Sequence, residues 1–388
     1  MTPIRSASGV EEVAARARAH GRFALDFEFM WERSYAPLPC LAQVATLDGI
    51  DLIDPVDGAP LDPISELVAD PEITAVMHAP AADLTLMQIA SGTVPDNLQD
   101  VQLMAGFVGL GAGQGLQTLL DRVLKVRLDK SERYTDWSKR PLRDAQLEYA
   151  AADVEHLLEL VDTLWDRIDE LDRREWVTEE HARRYSADSR WAPDPDRAWR
   201  RVKGQGRLKP KERARLKELA AWREREAADA DRPVSWMMPD RTLIELARRR
   251  PKNAQAVLKE RGVPDRLKTR HAEAIMEALE IADAAEPIEM PAAPPPSVQA
   301  QLDVLVPLGQ VVVTALAAEA QMAPSLIATR NEINGYLATQ ITENGREWAL
   351  GEGWRYTLAG SALCDLAGGG LSLVPQSEPP YLDLIRKT

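Results

Sequence analysis

Residues 21–30 (GRFALDFEFM) alternate between large apolar side chains and small or acidic ones, and this alternation predicts a β-strand. The apolar face of the strand would carry Phe23, Leu25, Phe27 and Phe29. Asp26 and Glu28 fall together on the opposite face, because successive side chains of a strand point to opposite sides. Two like charges so close together repel each other. We therefore expect either a cation between these carboxylates or a strand face that is open to solvent.

The first half of the chain shows further strand and helix patterns, which indicate an α/β domain with a mixed sheet at residues 1–185. Two apolar runs on either side of Asp48-Gly49 predict a β-hairpin. Residues 144–177 keep helical spacing without glycine or proline and predict one long helix. Apolar spacing also predicts a helix at 62–70, a strand at 73–78, and helices at 83–90 and 116–126.

The second half of the chain predicts helices that are joined by polar or proline-rich segments. Residues 186–206 are polar with proline and glycine and form a connector, and residues 286–297 form a stiff, extended, proline-rich linker. Two helical regions lie at 207–285 and 298–388. The three glycines at 368–370 leave the end of the chain without a pattern, and we expect it to fray. The predicted helices lie at 211–231, 240–249, 252–261, 268–284 and within 299–345.

Length and composition indicate the number of domains and the cellular compartment. The chain has 388 residues and a net charge of −14, which is long enough for two or three domains that each bury a core. Its only cysteines are Cys40 and Cys364, so we expect no disulfide framework and a reducing compartment. The first residues lack the apolar core of a signal peptide. No run of about 18 apolar residues occurs, so we expect no membrane span. We also expect a cytoplasmic protein that acts as a monomer.

Charge is distributed unevenly along the chain. Residues 1–100 contain 5 arginines, no lysine and 16 acidic residues, a net charge of −11. The net charge is +8 for residues 183–227 and +5 for residues 239–273, but −7 for residues 283–388. An acidic start and a basic middle indicate a cation-binding end and a surface for a polyanion. Solvated helix faces would give the same counts, so charge alone leaves both interpretations open.

Acidic side chains occur at three places where chemistry could use them. Asp26 and Glu28 lie on the first strand, and Asp83 lies near the start of a helix. Tyr149 and Asp153 stand four residues apart and share one face of a helix. Each place also has an ordinary explanation, as a polar strand face, a helix cap or a core tyrosine. Together, however, four hard oxygen ligands suit Mg²⁺ or Mn²⁺, and two such ions about 4 Å apart can assist a phosphodiester cleavage.

These residues carry a resemblance to a known family. The stretches LDFEF, HAPAADL and YAAADV resemble the three motifs of the DEDD exonuclease superfamily, and the tyrosine four residues before the last aspartate marks its tyrosine branch. LDKSERYTDWSKRPLRDAQLEYAAADV at 128–154 resembles bacterial ribonuclease D, whose wider pattern runs through the first 170–200 residues. The sequence departs from the family pattern at Phe27, where threonine is common, and at Pro80, where small residues are usual. Neither departure removes an acid.

The resemblance implies a fold, an activity and a set of site residues. The fold would be ribonuclease H-like, and the activity hydrolysis of RNA from its single-stranded 3′ end, with two divalent ions (Mg²⁺ or Mn²⁺) and release of nucleoside 5′-monophosphates. Precursors of tRNA and other stable RNAs would be the substrates. Tyr149 would orient the attacking water. The metal ligands would be Asp26, Glu28, Asp83 and Asp153.

The basic middle of the chain resembles a second family. Residues 207–285 resemble the HRDC domain, a small helical bundle that follows the exonuclease domain in ribonuclease D, and residues 298–388 resemble it faintly. Basic side chains here could hold the phosphates of RNA without selecting its sequence. We also consider Gln43, Lys130 and Arg133 as contacts to the nucleic acid. The candidates in the middle of the chain are Arg200, Arg201, Lys203, Arg207, Lys209, Lys211, Arg248, Arg249 and Arg250.

Two alternatives remain open from the residues alone. A 3′–5′ DNA exonuclease would use the same acids, because carboxylates do not distinguish the sugars, whereas recognition of the 2′-hydroxyl would. A non-catalytic adaptor could keep the fold and bind nucleic acid through its helical domains. The complete set of acids argues against the adaptor.

Overall fold

The structure is a computed structural model that describes residues 1–93, 95–127, 135–185, 190–264, 267, 269–290, 294–343, 345–378 and 381–387. The strands are β1 (Arg22–Met30), β2 (Leu38–Thr46), β3 (Gly49–Ile53), β4 (Thr74–Met77), β5 (Leu98–Asp100), β6 (Leu371–Pro375) and β7 (Leu382–Arg386). The first helices are α1 (Ala7–His20), α2 (Asp62–Ala69), α3 (Ala81–Ser91), α4 (Val101–Phe107), α5 (Leu116–Val123), α6 (Asp144–Glu155), α7 (Leu157–Glu170) and α8 (Arg174–Arg184).

The later helices are α9 (Pro210–Asp229), α10 (Val234–Met237), α11 (Asp240–Arg249), α12 (Ala254–Leu258), α13 (Thr269–Ala284), α14 (Pro296–Glu319), α15 (Pro324–Ile327), α16 (Arg330–Thr342), α17 (Gly353–Arg355) and α18 (Ser361–Ala367). Short 3₁₀ helices lie at Pro195–Arg201, Gln205–Arg207 and Ala349–Gly351, and a π-helical turn lies at Tyr356–Gly360. We call α1 to α8 the N-terminal unit, the first 3₁₀ helix with α9 to α13 the middle helical unit, and α14 to β7 the C-terminal region.

The N-terminal unit is built on a five-stranded mixed sheet in the order β3-β2-β1-β4-β5. β1, β2 and β3 are antiparallel, and β4 and β5 run parallel to β1. The opening strand is confirmed, since Phe23, Leu25 and Phe27 are buried on its apolar face. A bulge between Glu28 and Phe29 shifts the pairing with β2 at the end of β1. Bulges of this kind bend a strand and often lie beside active sites.

Three features of the N-terminal unit differ from the sequence prediction. The predicted long helix at 144–177 is wrong, because the chain leaves helical geometry at His156 (φ −109°, ψ 6°) and again between α7 and α8. The break lets α6 pack on β2 and β3 while α7 packs on α4 and β4. The prediction also missed α1 and the short strand β5.

The middle helical unit forms around α9, which packs against α11 and α13. Its apolar side chains make a cluster of their own that includes Trp199, Trp222 and Leu279. Helices predicted at 240–249 and 268–284 are present as α11 and α13.

The C-terminal region shares one apolar cluster with the N-terminal unit. Trp354 stacks on Trp176 of α8 and meets Phe107 edge-on. The backbone N–H of Ala323 donates to the carbonyl of Gly106 over 2.9 Å. A Cβ atom on Gly106 would lie 2.6 Å from the Leu326 side chain, so α4 and α15 approach closely there. The end of the chain was not expected to form strands, but β6 and β7 pair there as an antiparallel hairpin.

Helix α14 is long and apolar enough, by length and composition, to cross a membrane. The core helix of a folded protein can pass the same test. In this structure one face of α14 is buried, with Leu302, Val306, Val312 and Val313 inside the shared cluster, and the helix packs on α16 and α18. On its other face Val304, Leu308 and Val311 are exposed, so α14 is buried on one side only.

Candidate active site

The first part of the site forms where the parallel pairing of β1 with β4 ends. The pairing of β1 with β4 ends at Ala24, after which β4 gives way to a turn at Ala79 (φ 53°) and to α3. Asp83 lies in the first turn of α3 and is 6% exposed. The backbone N–H of Phe27 lies near enough to the carboxylates of Asp83 and Asp26 to lower the pKa of both. The early end of the β1–β4 ladder therefore brings the third acid to the strand that holds the first two.

Helix α6 brings the last two predicted residues. It packs across β1, β2 and β3, and it places a carboxylate oxygen of Asp153 within 4.8 Å of one from Asp26 and one from Glu28. The Tyr149 hydroxyl donates to the Asp153 carboxylate, and its ring packs 6.2 Å from that of Trp137. We call Asp26, Glu28, Asp83 and Asp153 the carboxylate cluster.

Burial and mutual repulsion change the acidity of this cluster. Burial, followed by the charges of Asp83, Asp153 and Glu28, raises the pKa of Asp26 well above its usual range. The pKa of Glu28 rises to about 8 through burial and the same two aspartates. Burial also raises the pKa of Asp83 to about 7 and that of Asp153 to about 6. Backbone N–H groups partly offset the effect at Asp83, and the Tyr149 hydroxyl partly offsets it at Asp153.

The residues present fit a divalent metal centre. The donors are carboxylate oxygens, which hard cations such as Mg²⁺ and Mn²⁺ prefer. Three of the carboxylates can reach a common point, and the fourth is near enough to repel Asp26 and Glu28. Raised pKa values mean that the negative charges are poorly compensated, and bound cations would supply that compensation.

Both departures from the family pattern are compatible with this geometry. The Phe27 ring is 5% exposed and lies in the apolar core, so only its backbone faces the acids. Pro80 precedes α3, and its carbonyl accepts from the backbone N–H of Leu84 over 2.9 Å. Proline is tolerated at a helix start because its missing N–H would have no partner there.

Asp100 supports the turn before Asp83 from behind. One of its oxygens accepts from the backbone N–H groups of Ala79 and Gln102, each over 2.9 Å. The other accepts from the Tyr185 hydroxyl over 2.7 Å. Asp100 is 4% exposed. It therefore ties α8 to the turn that precedes Asp83, and no local pattern in the sequence signals this long-range contact.

The predicted nucleic-acid contacts have different outcomes. Gln43 pairs with Asp26 across β1 and β2 and is fully buried, so the structure does not bring it to a surface where RNA could touch it. Lys130 and Arg133 lie outside the described residues. Lys211 and Arg250 are engaged within the protein, by the Asp283 carbonyl and carboxylate respectively. The other candidates are exposed: Arg200, Arg201, Lys203, Arg207, Lys209, Arg248 and Arg249.

Comparison with known proteins identifies the family of the chain. Residues 1–169 match the 3′-5′ exonuclease family and residues 212–279 match the HRDC domain. The mixed ribonuclease H-like sheet with these acids defines a 3′–5′ exonuclease. Ribonuclease D of Jannaschia sp. (strain CCS1) is 35% identical over 379 residues, which are 94% of each chain. Ribonuclease D of Zymomonas mobilis is 33% identical over 369 residues, 94% of this chain and 93% of the relative.

A solved structure extends the agreement. The crystal structure of Escherichia coli RNase D, an exoribonuclease involved in structured RNA processing, superposes with a TM-score of 0.79 at 27% identity and covers 95% of this chain and 99% of that one. The chain belongs to the ribonuclease D family. The predicted fold class, with an exonuclease domain followed by a helical HRDC domain, and the predicted activity as a 3′–5′ exoribonuclease are confirmed. Exonucleases of this fold generally use two divalent metal ions.

Proposed function

We propose that the carboxylate cluster is the catalytic metal centre of this exoribonuclease, with Asp26, Glu28, Asp83 and Asp153 as ligands of two Mg²⁺ or Mn²⁺ ions. The single observation that supports it best is the approach of three carboxylates to within 4.8 Å of one another. Like charges gather in this way at a cost, which bound cations offset.

The metal ligands, Tyr149 and Phe27 have different roles in the proposed reaction. When bound, the ions lower the pKa of the attacking water and stabilise the charge on the leaving 3′ oxygen. The Tyr149 hydroxyl donates a hydrogen bond to the Asp153 carboxylate. The lone pairs on its oxygen can therefore accept a hydrogen bond from the attacking water. That hydrogen bond orients the water in line with the scissile phosphate. Burial of the Phe27 ring holds Asp26 and Glu28 rigidly on β1.

We also propose the substrate and the division of the chain. Precursors of tRNA and other structured RNAs are the substrates, in keeping with the structured RNA processing described for the E. coli relative. The exonuclease domain spans residues 1–185, the connector 186–206 and the HRDC domain 207–285. Exposed arginines and lysines of the middle helical unit hold RNA phosphates. A proline-rich linker at 286–297 leads to a helical domain at 298–388, and the protein acts as a monomer in the cytoplasm.

A time course with a 5′-labelled tRNA precursor tests the proposal. Wild-type protein with Mg²⁺ or Mn²⁺ should shorten the RNA from its 3′ end, and EDTA should stop it. Asp26→Asn and Asp153→Asn should each lower kcat by at least about 10³-fold, since each removes a charge that the ions need. Glu12→Gln changes an exposed acid on α1 and is the matched control. Wild-type turnover by either aspartate variant would refute the assignment, and a matched DNA strand measures the preference for RNA.

A further inference from the structure

A cavity of about 520 Å³ lies between the N-terminal unit and the middle helical unit. Its walls come from the segment that follows β1, from α3, from the connector around Trp191 and from α9 to α11. Trp31 lines it and lies three residues after Glu28. Three residues span at most about 11 Å between Cα atoms, so the Trp31 wall of the cavity lies within that distance of Glu28. Its volume lies within the usual range of about 300–1,000 Å³ for small-molecule sites.

Hydrogen bonds fix the walls of this cavity. The backbone N–H of Tyr35 donates to Asp231 over 2.9 Å, and its hydroxyl donates to Glu224 over 3.2 Å. The Trp31 indole N–H donates to the Tyr35 carbonyl over 2.8 Å. On the other side, the backbone N–H of Trp191 donates to Gln88 of α3 over 2.6 Å. Tyr35 therefore joins the two units on one side of the cavity, and Trp191 ties the connector to α3 on the other side.

The lining of the cavity is aromatic and electrically balanced. Trp31, Tyr35 and Trp191 supply the aromatic surfaces, and Trp31 is 40% exposed. The charged lining residues are two arginines and two acids, so their formal charges cancel: Arg201, Arg223, Glu224 and Asp240. A phosphate would gain little from such a balanced set of charges. A flat, neutral group with hydrogen-bonding edges suits it better, and stacking on aromatic side chains is how bases are held in single strands.

Two buried polar groups have hydrogen-bonding capacity to spare. Within the described residues, Nε of Arg223 and the indole N–H of Trp191 are buried and have no hydrogen-bond partner. Arg223 is 5% exposed, and its Nη1 already donates to Asp240 and to the Met238 carbonyl, each over 2.8 Å. Buried donors are nearly always satisfied in native proteins. Both atoms have almost no accessible surface, so they lie behind the cavity wall, and the contacts to an occupant come from the exposed lining.

We propose that this cavity binds the base of an RNA nucleotide just upstream of the 3′-terminal one. The inference rests on the proposed function, because it places the RNA 3′ end at the carboxylate cluster. Trp31, which is 40% exposed in the lining, stacks on the base. Arg201 pairs with Glu224 over 3.4 Å, but its side chain is 60% exposed and meets the adjoining phosphate outside the cavity. The subsite makes binding depend on an unstacked, single-stranded base, so a paired 3′ end is held less tightly than a free tail.

An abasic scan tests this subsite. A 5′-labelled single-stranded RNA of about ten nucleotides, within the range of site sizes for such strands, carries one nucleotide without a base at each position in turn. For the wild-type protein, KM should rise about tenfold at one position just upstream of the 3′ end, since stacking of one base is worth about 1–3 kcal/mol. Trp31→Ala should raise KM for intact RNA by about the same factor and lose the dependence on that position. Trp31→Phe keeps an aromatic ring and should retain most of it.

A matched control and a binding measurement complete the test. Trp236→Ala removes a tryptophan of similar exposure, 44%, that does not line the cavity, and it should leave the scan unchanged. In EDTA, where hydrolysis stops, 2-aminopurine placed at the sensitive position should be quenched by the wild-type protein but not by Trp31→Ala. A flat scan with wild-type protein that still degrades intact RNA would overturn the subsite alone, leaving the proposed function intact. Equal effects of Trp31→Ala and Trp236→Ala would also overturn it.

Discussion

At the scale of single residues, Phe27 joins the core to the active site. Its ring is buried in the apolar cluster, while its backbone N–H lowers the pKa of Asp26 and Asp83. The alternation of β1 predicted which face the acids share, because that pattern is local. Sequence could not place Asp83 or Asp153 beside them without the family resemblance, since their approach depends on where β4 ends and how α6 packs. The burial of Gln43 was equally hidden, because both faces of β2 are covered.

Metal binding by the carboxylate cluster should depend on pH. The pKa values of its acids lie above those of an unfolded chain, reaching about 6 at Asp153 and about 8 at Glu28. Without metal, the folded state therefore holds extra protons, and these acids cost stability as the pH rises through those values. A divalent ion binds the deprotonated carboxylates and should offset that cost. We expect Mn²⁺ to raise Tm more at a pH of about 8 than at about 5.

Thermal unfolding with and without Mn²⁺ at the two pH values measures this difference. Asp153→Asn serves as the control, since it removes one ligand and should shrink the rise in Tm at the higher pH. An equal rise at both pH values would contradict the proposed ligands.

At the scale of elements, the turn between β4 and α3 shows how secondary structure positions chemistry. The backbone N–H of Ala79 donates to Asp100 at the end of β5, and the hydroxyl of Tyr185 at the end of α8 donates to the same carboxylate. Apolar spacing predicted α3 well, because its pattern lies within the segment. The same spacing failed at His156, because the helix breaks there to let α6 and α7 pack on different partners. Tertiary contacts decide such breaks, and they leave no mark in local periodicity.

Tyr185→Phe should weaken both the fold and the metal centre. It removes a hydrogen bond to a buried carboxylate, which costs about 1.5–3 kcal/mol of unfolding free energy, and it loosens the turn before Asp83. We expect Mn²⁺ affinity, measured by calorimetry, to fall several-fold. Tyr336→Phe is the matched control, because its hydroxyl donates to the Gly360 carbonyl in the C-terminal region, away from the site. If the two variants had the same Mn²⁺ affinity, Tyr185 would have only a structural role.

At the scale of the whole molecule, the C-terminal region packs into the same apolar core as the N-terminal unit. Its apolar residues belong to the cluster of the N-terminal unit, whereas the middle helical unit has a separate cluster. Residues 283–388 carry a net charge of −7, which disfavours phosphate binding, and the C-terminal region packs on α4 and α8 instead. The sequence could not show which domain it would contact, because the contact joins residues that are far apart in the chain.

Arg355→Gln should destabilise this junction. Arg355 is 3% exposed and donates to Glu180 of α8, which is fully buried. Burial alone would raise the pKa of Glu180, but hydrogen bonds from Arg183, Arg184 and Arg355 lower it to about 2. Removing one partner of a buried pair costs about 3–5 kcal/mol, less where other partners remain.

Urea unfolding near neutral pH measures this loss. Arg386→Gln, which removes an exposed pair with Asp365, should cost at most about 1 kcal/mol. The cost of Arg355→Gln should shrink as the pH falls below about 4, because Glu180 is then protonated in the unfolded chain. Equal losses for the two variants would show that the junction contributes no more than a surface ion pair.

Anomalous diffraction from crystals soaked in Mn²⁺ locates the bound ions without reference to activity. We expect two manganese peaks among the carboxylates of Asp26, Glu28, Asp83 and Asp153, with Tyr149 beside them. The Asp153→Asn variant should lose at least one of the two peaks. If saturating Mn²⁺ left these carboxylates without a peak, or bound at other acids, the carboxylate cluster would not be the metal centre.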